Sequence, residues 1–511
     1  MAQVVLSSIG LAFIGGLGFV LFRIVQNIFF HPLSRSPGPL LARITNLWAV
    51  WHGWRGDLAH TLAVLHTKHG EFVRFGPNRL SINSSEALEK IYGFKANTLK
   101  SKQWYLNFAA DPRHPATNTE VDPAQHKRKR AFLNKGFTST NMKLLEPKIL
   151  DVVENWKRHC IVPKNVDGSE KDDGWSTPRD MANWSVYLTN DVMGAVVFSK
   201  SFQLSENEEH RWLAKAVPLS TRSKYAGCFA PWLITNKLDR FLYPSLTSWR
   251  LKLRAFSMDQ LNARVTRKDD KSLHDFFRYL LDARDPDTNE PLDARTLGSE
   301  SNLLVGAGGD TTSTAIAGTF FFLCQNGGPL ATLKAELHER FSSVDDIVPG
   351  PALDDCKYLR ACIDEAMRLA PPAPSPLMRE VQGGGLTIHD QHLPPGTEVA
   401  VTTFALHRHP EHFPDPLKYK PERWIPSLSS EEETKKAKEA FAPFSMGPRQ
   451  CIGMRLAYLE AMVTIGRVVF EYEIRSAKGM EKVGEDKDGL YELLDSFGTE
   501  KKGPWVEFKR R

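Results

Sequence analysis

The sequence predicts a mainly α-helical protein with small β-sheets, an α+β fold in one large body that follows an N-terminal transmembrane helix. Apolar residues recur at three-to-four spacing along most of the chain, short alternating segments lie between them, and the N-terminus contains a long uncharged apolar run. The composition, with 41% hydrophobic and 25% charged residues, is typical of a globular protein.

The periodic segments give a coarse map of the fold. Helical spacing predicts helices over residues 58–68, 142–159, 273–281, 299–325, 331–341, 358–369 and 455–469, and alternation predicts strands over 72–75, 79–82 and 398–402. The polar stretches 164–173 and 427–438 are expected to be surface loops. Because no clear linker interrupts the body, we expect residues 31–511 to form one domain.

The N-terminal run, residues 4–22, contains no charged side chain and would make a helix of roughly 30 Å, about one hydrocarbon thickness. A cleaved secretory signal would begin with a charged segment, but Arg23 and Arg35 follow the run and no basic residue precedes it. We therefore expect residues 1–30 to be a retained, single-pass anchor, with the body facing the cytosol. The proline-rich stretch 32–39 is expected to be a hinge.

Charge and cysteine usage exclude some classes of protein. The net charge of +6 is too small to indicate a nucleic-acid partner. The six cysteines form neither a CxxC pair nor a regular framework, so a disulfide scaffold or a zinc site is not expected.

Cys451 lies in a setting unlike that of the other cysteines, between Gly447 and Gly453 and just before a helical run. The N-terminus of that helix would favour a thiolate, and the two glycines would allow a positive φ or the close approach of a flat macrocycle. Arg449 could neutralise a carboxylate, and Phe444 could shield the sulfur from water. The alternative is a buried thiol in a turn ahead of a core helix.

Two further motifs invite a functional interpretation. Residues 306–312 place glycines and an Asp310-Thr311 pair inside an apolar helix, where each glycine costs about 1 kcal/mol relative to alanine. Close helix packing would explain them as well, whereas a phosphate loop would need a following lysine. Glu365 and Arg368 share a helix face and can form an ion pair. An ordinary exposed ion pair on a helix surface would have the same spacing.

These motifs resemble those of the cytochrome P-450 family. Phe444, Gly447, Arg449, Cys451 and Gly453 match every fixed position of the family's haem-binding signature. The resemblance implies that Cys451 is the axial ligand of the iron of haem b.

The resemblance also assigns roles outside this segment. It implies that Asp310 and Thr311 deliver protons to dioxygen, and that Arg423 completes a buried structural triad with Glu365 and Arg368. The side chains implied to bind the haem propionates are Arg449, Arg379, Arg130 and His126.

The implied activity is that of a membrane-bound haem monooxygenase, which hydroxylates or epoxidises a hydrophobic small molecule with O2 and NADPH-derived electrons. A NADPH-cytochrome reductase would dock on the basic segment 127–130, and cytochrome b5 is a second candidate donor. Substrate contacts are expected from residues 104–111, 302–306 and 373–377 and from the turn near Phe497.

The chain resembles in particular the fungal microsomal members of secondary metabolism, which implies an endoplasmic reticulum membrane. Two alternatives remain open at this point. One is a haem-thiolate isomerase or dehydratase, and the other is a non-catalytic haem sensor.

Overall fold

The fold is mainly helical, and the predicted fold class is confirmed. The structure, a computed structural model, describes residues 2–162, 173–242, 244–285 and 289–511. Its helices are α1 (Ala2–Val25), α2 (Leu40–Ile44), α3 (Leu47–Arg55), α4 (Leu58–His69), α5 (Ser85–Tyr92), α6 (Lys102–Phe108), α7 (Pro123–Gly136), α8 (Ser139–Cys160), α9 (Met181–Phe198), α10 (Leu213–Cys228), α11 (Pro231–Thr235), α12 (Asp239–Leu242), α13 (Pro244–Val265), α14 (Phe276–Leu281), α15 (Ala294–Gln325), α16 (Gly327–Arg340), α17 (Pro351–Asp354), α18 (Lys357–Leu369), α19 (Thr403–Leu406), α20 (Glu431–Ala440) and α21 (Met454–Glu471).

The strands form small sheets beside the helices. They are β1 (Phe72–Gly76), β2 (Arg79–Ile82), β3 (Thr98–Lys100), β4 (Arg179–Asp180), β5 (Arg379–Val381), β6 (Leu386–Ile388), β7 (Gln391–Leu393), β8 (Glu398–Ala400), β9 (Tyr472–Ser476), β10 (Leu493–Ser496), β11 (Gly498–Lys501) and β12 (Trp505–Arg510). The largest sheet has the order β1-β2-β8-β5-β3, with β2 and β8 parallel. A second has the order β4-β12-β9, and β6-β7 and β10-β11 are hairpins.

Helix α15 runs through the main core. It begins where the Asp293 side chain accepts hydrogen bonds from the backbone N–H groups of Arg295 and Thr296, an N-cap that satisfies donors the helix cannot pair internally. Its C-terminal half is buried almost without interruption, and Ile316 and Phe320 belong to the same apolar cluster as side chains of α8, α9, α18 and α21. The helix is therefore a rigid support for the residues on its cavity-facing side.

Most predicted elements are found within a few residues of their expected bounds. Strand β2 coincides with its prediction, and α4, α8, α16, α18 and α21 differ only at their ends. Helix α14 begins three residues later than expected, because Asp275 caps it and also pairs with Arg264 at 2.7 Å. Of the predicted loop 164–173, all but Asp173 lies outside the described residues.

The prediction of a surface loop over 427–438 is wrong, because helix α20 occupies most of it. The Ser430 side chain accepts a hydrogen bond from the Glu433 N–H, and Glu431, Glu432 and Glu433 lie in the first turn, where the helix dipole favours negative charge. Three residues of this helix face the interior and are buried: Thr434, Ala437 and Ala440. The capping pattern was present in the sequence, but the charge of the segment obscured it.

Helix α9 was not predicted, although it packs along α15. Nearly all of its residues are buried, Val192 and Val196 among them. A helix buried on all sides has no polar face, so it lacks the periodic signal by which an amphipathic helix is recognised.

The N-terminal apolar helix continues through a π-helical turn, Gln26–Phe30. Leu11–Phe30 has a mean hydropathy of 1.7 and is only 6% buried, so this helix is long and apolar enough to cross a membrane. The expected hinge is not a free linker. Arg74 donates to the carbonyls of Asn27 and Leu33 at 2.9 and 3.3 Å, and its backbone N–H donates to the Pro37 carbonyl.

Candidate active site

Cys451 lies in a turn between a short 3-10 helix, Gly447–Arg449, and the start of α21. Its backbone N–H donates to the Phe444 carbonyl at 2.9 Å, which closes the loop around the sulfur. The cysteine side chain is exposed, in contrast to the buried side chains that fill most of α21. The Phe444 ring packs on Tyr458 at 5.1 Å.

The protonation of Cys451 is set by opposing influences. Solvent reaches the Cys451 sulfur, but the protein atoms packed around it partly desolvate the thiol and raise its pKa, while hydrogen bonds from the backbone N–H groups of Gly453 and Met454 and the charge of Arg130 lower it in part. A thiol that coordinates a metal ion is deprotonated.

Gly447 is required by the backbone. Its φ is +66°, and a Cβ atom there would lie 2.1 Å from the Tyr92 carbonyl oxygen at the end of α5. The close contact that Gly447 allows is therefore with the backbone of Tyr92 and not with an open surface that a ligand could reach. Gly453 differs, since its φ is −84° and the atom nearest to a Cβ there would be the Cys451 sulfur, 3.9 Å away.

Cationic side chains from distant parts of the chain converge near this loop. Arg130 on α7 donates to the Gln450 carbonyl at 2.5 Å, and Arg449 donates to the Glu120 carbonyl at 2.8 Å. Arg379, buried on β5, donates to the Tyr105 hydroxyl at 3.0 Å. Burial is the largest cause that lowers the pKa of Arg449, to about 10, and repulsion by Arg379 follows.

Two neighbours complete the cluster. His126 is buried, and desolvation followed by repulsion from Arg449, Lys100 and Arg130 lowers its pKa to about 3. It is therefore neutral at neutral pH and can still donate a hydrogen bond to a carboxylate. Lys100 on β3 was missed; desolvation and then repulsion by Arg379, Arg449 and Arg130 hold its pKa well below the usual range.

This arrangement fits a haem. A cluster of mutually repelling, partly desolvated cations is costly unless an anionic group binds there, and haem carries two carboxylates. The exposed Cys451 sulfur offers the thiolate ligand that such an iron takes. Lys100, Arg130, Arg379 and Arg449 are the residues that would hold the carboxylates.

The glycine-rich part of α15 serves two purposes. A Cβ atom at Gly308 would lie 2.3 Å from the Met193 sulfur, and one at Gly309 would lie 2.5 Å from the Asn190 amide nitrogen, both on α9. These two glycines permit close helix packing, the alternative that the sequence left open. A Cβ atom at Gly306 would have no neighbouring atom within 4 Å, and Ala307 is exposed, so these two residues face a cavity.

Asp310 and Thr311 both line this cavity but bond to different parts of the protein. The buried Asp310 carboxylate lies 3.4 Å from Lys501 Nζ and accepts a hydrogen bond of the same length from the Thr499 N–H, both on β11. Thr311 Oγ1 donates to the Ala307 carbonyl at 2.9 Å and lies on the cavity wall. Lys501 was not anticipated, since nothing in the local sequence connects it to α15.

The cavity over α15 has a volume of about 460 Å³. Each predicted substrate segment contributes to its wall, through residues that include Phe108, Asn302, Ala373 and Phe497. Other parts of its wall come from α10, from Ile234, Thr235, Lys237 and Arg240, and from α13, none of which was predicted to contact a substrate.

Glu365, Arg368 and Arg423 are brought together in the core. Arg368 Nη2 lies 2.8 Å and Arg423 Nε 3.0 Å from Glu365 Oε1, and all three side chains are buried. Arg368 also donates to the carbonyls of His407 and Pro416. Burial alone would raise the pKa of Glu365, but the two arginines outweigh it and lower that pKa.

The basic segment 127–130 is divided between the interior and the surface. Arg130 turns toward Gln450 and Lys129 pairs with Glu120 at 2.7 Å, so neither presents its charge outward. Arg128 pairs with Asp285 at 3.1 Å, and Lys127 is exposed. The surface predicted to dock a reductase is therefore smaller than the sequence indicates.

Comparison with known proteins agrees with this geometry. The sequence model of the family named Cytochrome P450 matches residues 37–494. The chain is 34% identical over 507 residues to cytochrome P450 monooxygenase apf7 of Gibberella fujikuroi, which covers 95% of each chain. It is 32% identical to cytochrome P450 monooxygenase AKT7 of Alternaria alternata (97% of this chain, 96% of the relative) and 34% identical to poxM of Penicillium oxalicum (96% and 92%).

The mainly helical fold and a site that fits a haem indicate a haem-binding protein. The chain belongs to the cytochrome P450 family and is a haem-dependent monooxygenase, as predicted. The isomerase or dehydratase and the non-catalytic sensor are not favoured.

Proposed function

We propose that the protein is a membrane-anchored monooxygenase that hydroxylates or epoxidises a hydrophobic small molecule of fungal secondary metabolism. The exposed thiol of Cys451 beside the cationic cluster is the observation that carries this proposal. When bound, haem b supplies the iron at which dioxygen is reduced with NADPH-derived electrons and one oxygen atom is transferred. Residues 1–30 are the anchor and 31–511 the catalytic domain.

The side chains of the protein bind the haem, orient the substrate and deliver protons. Cys451 would provide the thiolate that holds the haem iron, and Phe444, packed on Tyr458, would limit the access of water to it. Arg449, Arg379, Arg130 and Lys100 bind carboxylates, while neutral His126 donates a hydrogen bond. The buried triad of Glu365, Arg368 and Arg423 stabilises the fold on the thiolate side, which is the side of the haem site that carries Cys451.

Proton delivery falls to the two polar residues on α15. Thr311 Oγ1 carries a proton at the cavity wall, where it now satisfies the Ala307 carbonyl. Asp310, whose carboxylate lies 3.4 Å from Lys501 Nζ, supplies that hydroxyl with protons through water. The apolar wall around Phe108, Ala373 and Phe497 orients the substrate and excludes bulk water.

The remaining parts of the proposal concern location and partners. The α1 helix anchors the protein in the endoplasmic reticulum membrane, and the catalytic domain faces the cytosol. NADPH-cytochrome reductase, with cytochrome b5 as a second donor, docks on the thiolate side, where Lys127 and Arg455 are exposed.

Thr311→Ala tests the proton delivery. The variant should retain haem and substrate binding but divert most NADPH-derived electrons into hydrogen peroxide. Thr332→Ala is the matched control, because Thr332 makes the same bond to the carbonyl four residues earlier on exposed helix α16. Unchanged product per NADPH in Thr311→Ala would refute this role.

A further inference from the structure

Asp495 is a buried carboxylate to which several walls of the substrate cavity are attached. It lies near the end of β10, is fully buried and is not among the described residues that line the cavity. Its Oδ2 accepts hydrogen bonds from the Tyr225 hydroxyl at 3.0 Å and the Ala59 N–H at 3.2 Å. Its Oδ1 accepts one from the Ser375 hydroxyl and one from the Phe497 N–H at 3.2 Å. The donors belong to α10, α4, the 373–377 segment and the β10-β11 turn.

These four donors stabilise the charge of Asp495. Burial is the largest influence on its pKa and raises it to about 6, and the hydrogen bonds that the carboxylate accepts oppose this rise. The carboxylate is therefore mostly ionised at neutral pH. Hydrogen bonds to a charged acceptor are roughly twice as strong as neutral ones, so Asp495 is a firm point of attachment for the elements around it.

Phe497 depends on this carboxylate for its backbone conformation. It is the residue that joins β10 to β11, and Ser496 and Gly498 pair on either side of it. Its φ is +80°, in the left-handed region that residues other than glycine seldom adopt. Its N–H donates to the side chain two residues earlier, an Asx turn, which is a local contact that supports a tight turn. Asp495 therefore helps to hold Phe497 in this conformation.

The position of Phe497 shapes the aromatic wall of the cavity. Its ring lies 4.4 Å from the ring of Phe108, and both residues line the cavity. The buried ring of Trp104 lies 5.5 Å from each of them. A shift of the Phe497 backbone would move its ring away from this group and widen the cavity.

The same turn also contacts Asp310. A Cβ atom at Gly498 would lie 2.4 Å from Asp310 Oδ2, so only glycine allows this approach. The Thr499 N–H donates to the same oxygen at 3.4 Å. The ring of Phe497 is therefore one residue from the backbone that lies against Asp310, at the end of the cavity where Thr311 is found.

We propose that Asp495 is a positioning residue, which holds the Phe497 ring against Phe108 and thereby sets the width of the cavity beside Asp310 and Thr311. This inference rests on the proposed monooxygenase function, whose substrate would occupy this space. Asp495 does not contact the substrate and acts through Phe497. Loss of its hydrogen bonds should let the turn relax, so that the cavity discriminates less against broad ligands.

The test measures the affinity of the full-length holoenzyme for 1-phenylimidazole and 1-(2-naphthyl)imidazole, by titration followed through the absorbance of the bound haem. The probes share the imidazole group, a common metal ligand, and differ in the width of the ring system. Asp495→Asn keeps the size of the side chain but replaces one acceptor oxygen with a donor. It should shift the ratio of the two dissociation constants toward the naphthyl probe by about fivefold, the equivalent of one hydrogen bond.

Two further variants separate positioning from general stability. Asp191 on α9 is the matched control, because it is also a buried carboxylate that accepts bonds from backbone N–H groups, those of Leu204 and Ser205, and does not belong to the described lining of the cavity. Asp191→Asn should lower the thermal unfolding midpoint and leave the ratio unchanged. In a Phe497→Ala background, Asp495→Asn should no longer change the ratio, since two residues that act as a unit have non-additive effects.

Three outcomes would overturn the inference: an unchanged ratio in folded Asp495→Asn, an equal shift in Asp191→Asn, or a shift that persists in full without the Phe497 ring. If Asp495→Asn does not fold, Ser375→Ala removes one donor to the same Oδ1 and should shift the ratio in the same direction; no shift in that variant would also overturn it. Probes that bind with a ratio indifferent to Asp495 contradict this inference alone. If neither probe changes the absorbance of the bound haem, the proposed function fails and this inference fails with it.

Discussion

Lys501 Nζ lies 3.4 Å from Asp310 Oδ1, and both side chains are buried. The two residues are far apart in sequence, on β11 and α15, and the contact places a positive charge behind the carboxylate that we assign to proton delivery. The hairpin β10-β11 therefore takes part in positioning the Asp310 carboxylate.

Lys501→Met should destabilise the protein and impair coupling. Removing one partner of a buried ion pair leaves an uncompensated charge, at a cost of about 3 kcal/mol. The thermal unfolding midpoint should fall, and more NADPH-derived electrons should appear as peroxide. Exposed Lys502→Met is the control. A stable, fully coupled Lys501→Met variant would show that Asp310 does not depend on this contact.

Replacement of Glu365 tests the buried triad. Glu365→Gln removes the charge shared by Arg368 and Arg423, which are themselves buried, so we expect a loss of about 3 kcal/mol or more and poor haem retention. Glu432→Gln breaks the exposed pair with Lys436, where water screens the two charges, and should leave the stability nearly unchanged. Urea unfolding and haem content measure both, and equal effects would contradict the structural role of the triad.

Substitutions at two glycines of α15 should have opposite effects. Gly306→Ala meets open space and improves helix propensity by about 1 kcal/mol, so it should maintain or raise stability while narrowing the cavity. Gly309→Ala would press on Asn190 and should cost about 1–3 kcal/mol. Thermal midpoints and the affinity for a bulky substrate distinguish them. A destabilised Gly306→Ala would show that this residue is packed rather than facing the cavity.

Glu300 should make stability depend on pH. Its buried carboxyl accepts bonds from the Thr117 N–H and hydroxyl at 2.8 and 2.9 Å, and burial raises its pKa from 4.5 to about 7. A raised pKa means that the folded protein binds the proton more tightly, so this contribution is complete below about pH 4.5 and is lost as pH rises through about 7.

Glu300→Gln should therefore flatten the fall in thermal midpoint between about pH 5 and 8, an effect of up to ~3 kcal/mol. Exposed Glu339→Gln serves as the comparison and should keep the wild-type slope. If Glu300→Gln leaves that slope intact, another group titrates in this range.

The sequence predicted the site best where the site residues lie close together along the chain. The five matching positions around Cys451 predicted the thiol loop, and the Glu365-Arg368 spacing predicted a pair on one helix face. These features depend on neighbours along the chain, so periodicity and motif spacing reveal them.

Other parts of the site depend on residues brought together only by the fold. Lys100 on β3 lies among the cationic neighbours of Cys451, Lys501 on β11 contacts Asp310, and Arg254 on α13 lines the cavity. No local sequence pattern indicates any of these three approaches. Helix α9, with no polar face, was missed for the same reason: its character is set by what surrounds it.

The central claim is our proposal that the Cys451 thiolate would be the protein ligand of the haem iron. The difference spectrum of the freshly purified, reduced protein with carbon monoxide tests it most directly, with Cys451→Ser and Cys324→Ser as paired variants. We predict the band of a thiolate ligand in the wild-type protein and in Cys324→Ser, and its loss in Cys451→Ser. A band of the histidine type in folded wild-type protein, or a thiolate band that survives in Cys451→Ser, would contradict the account.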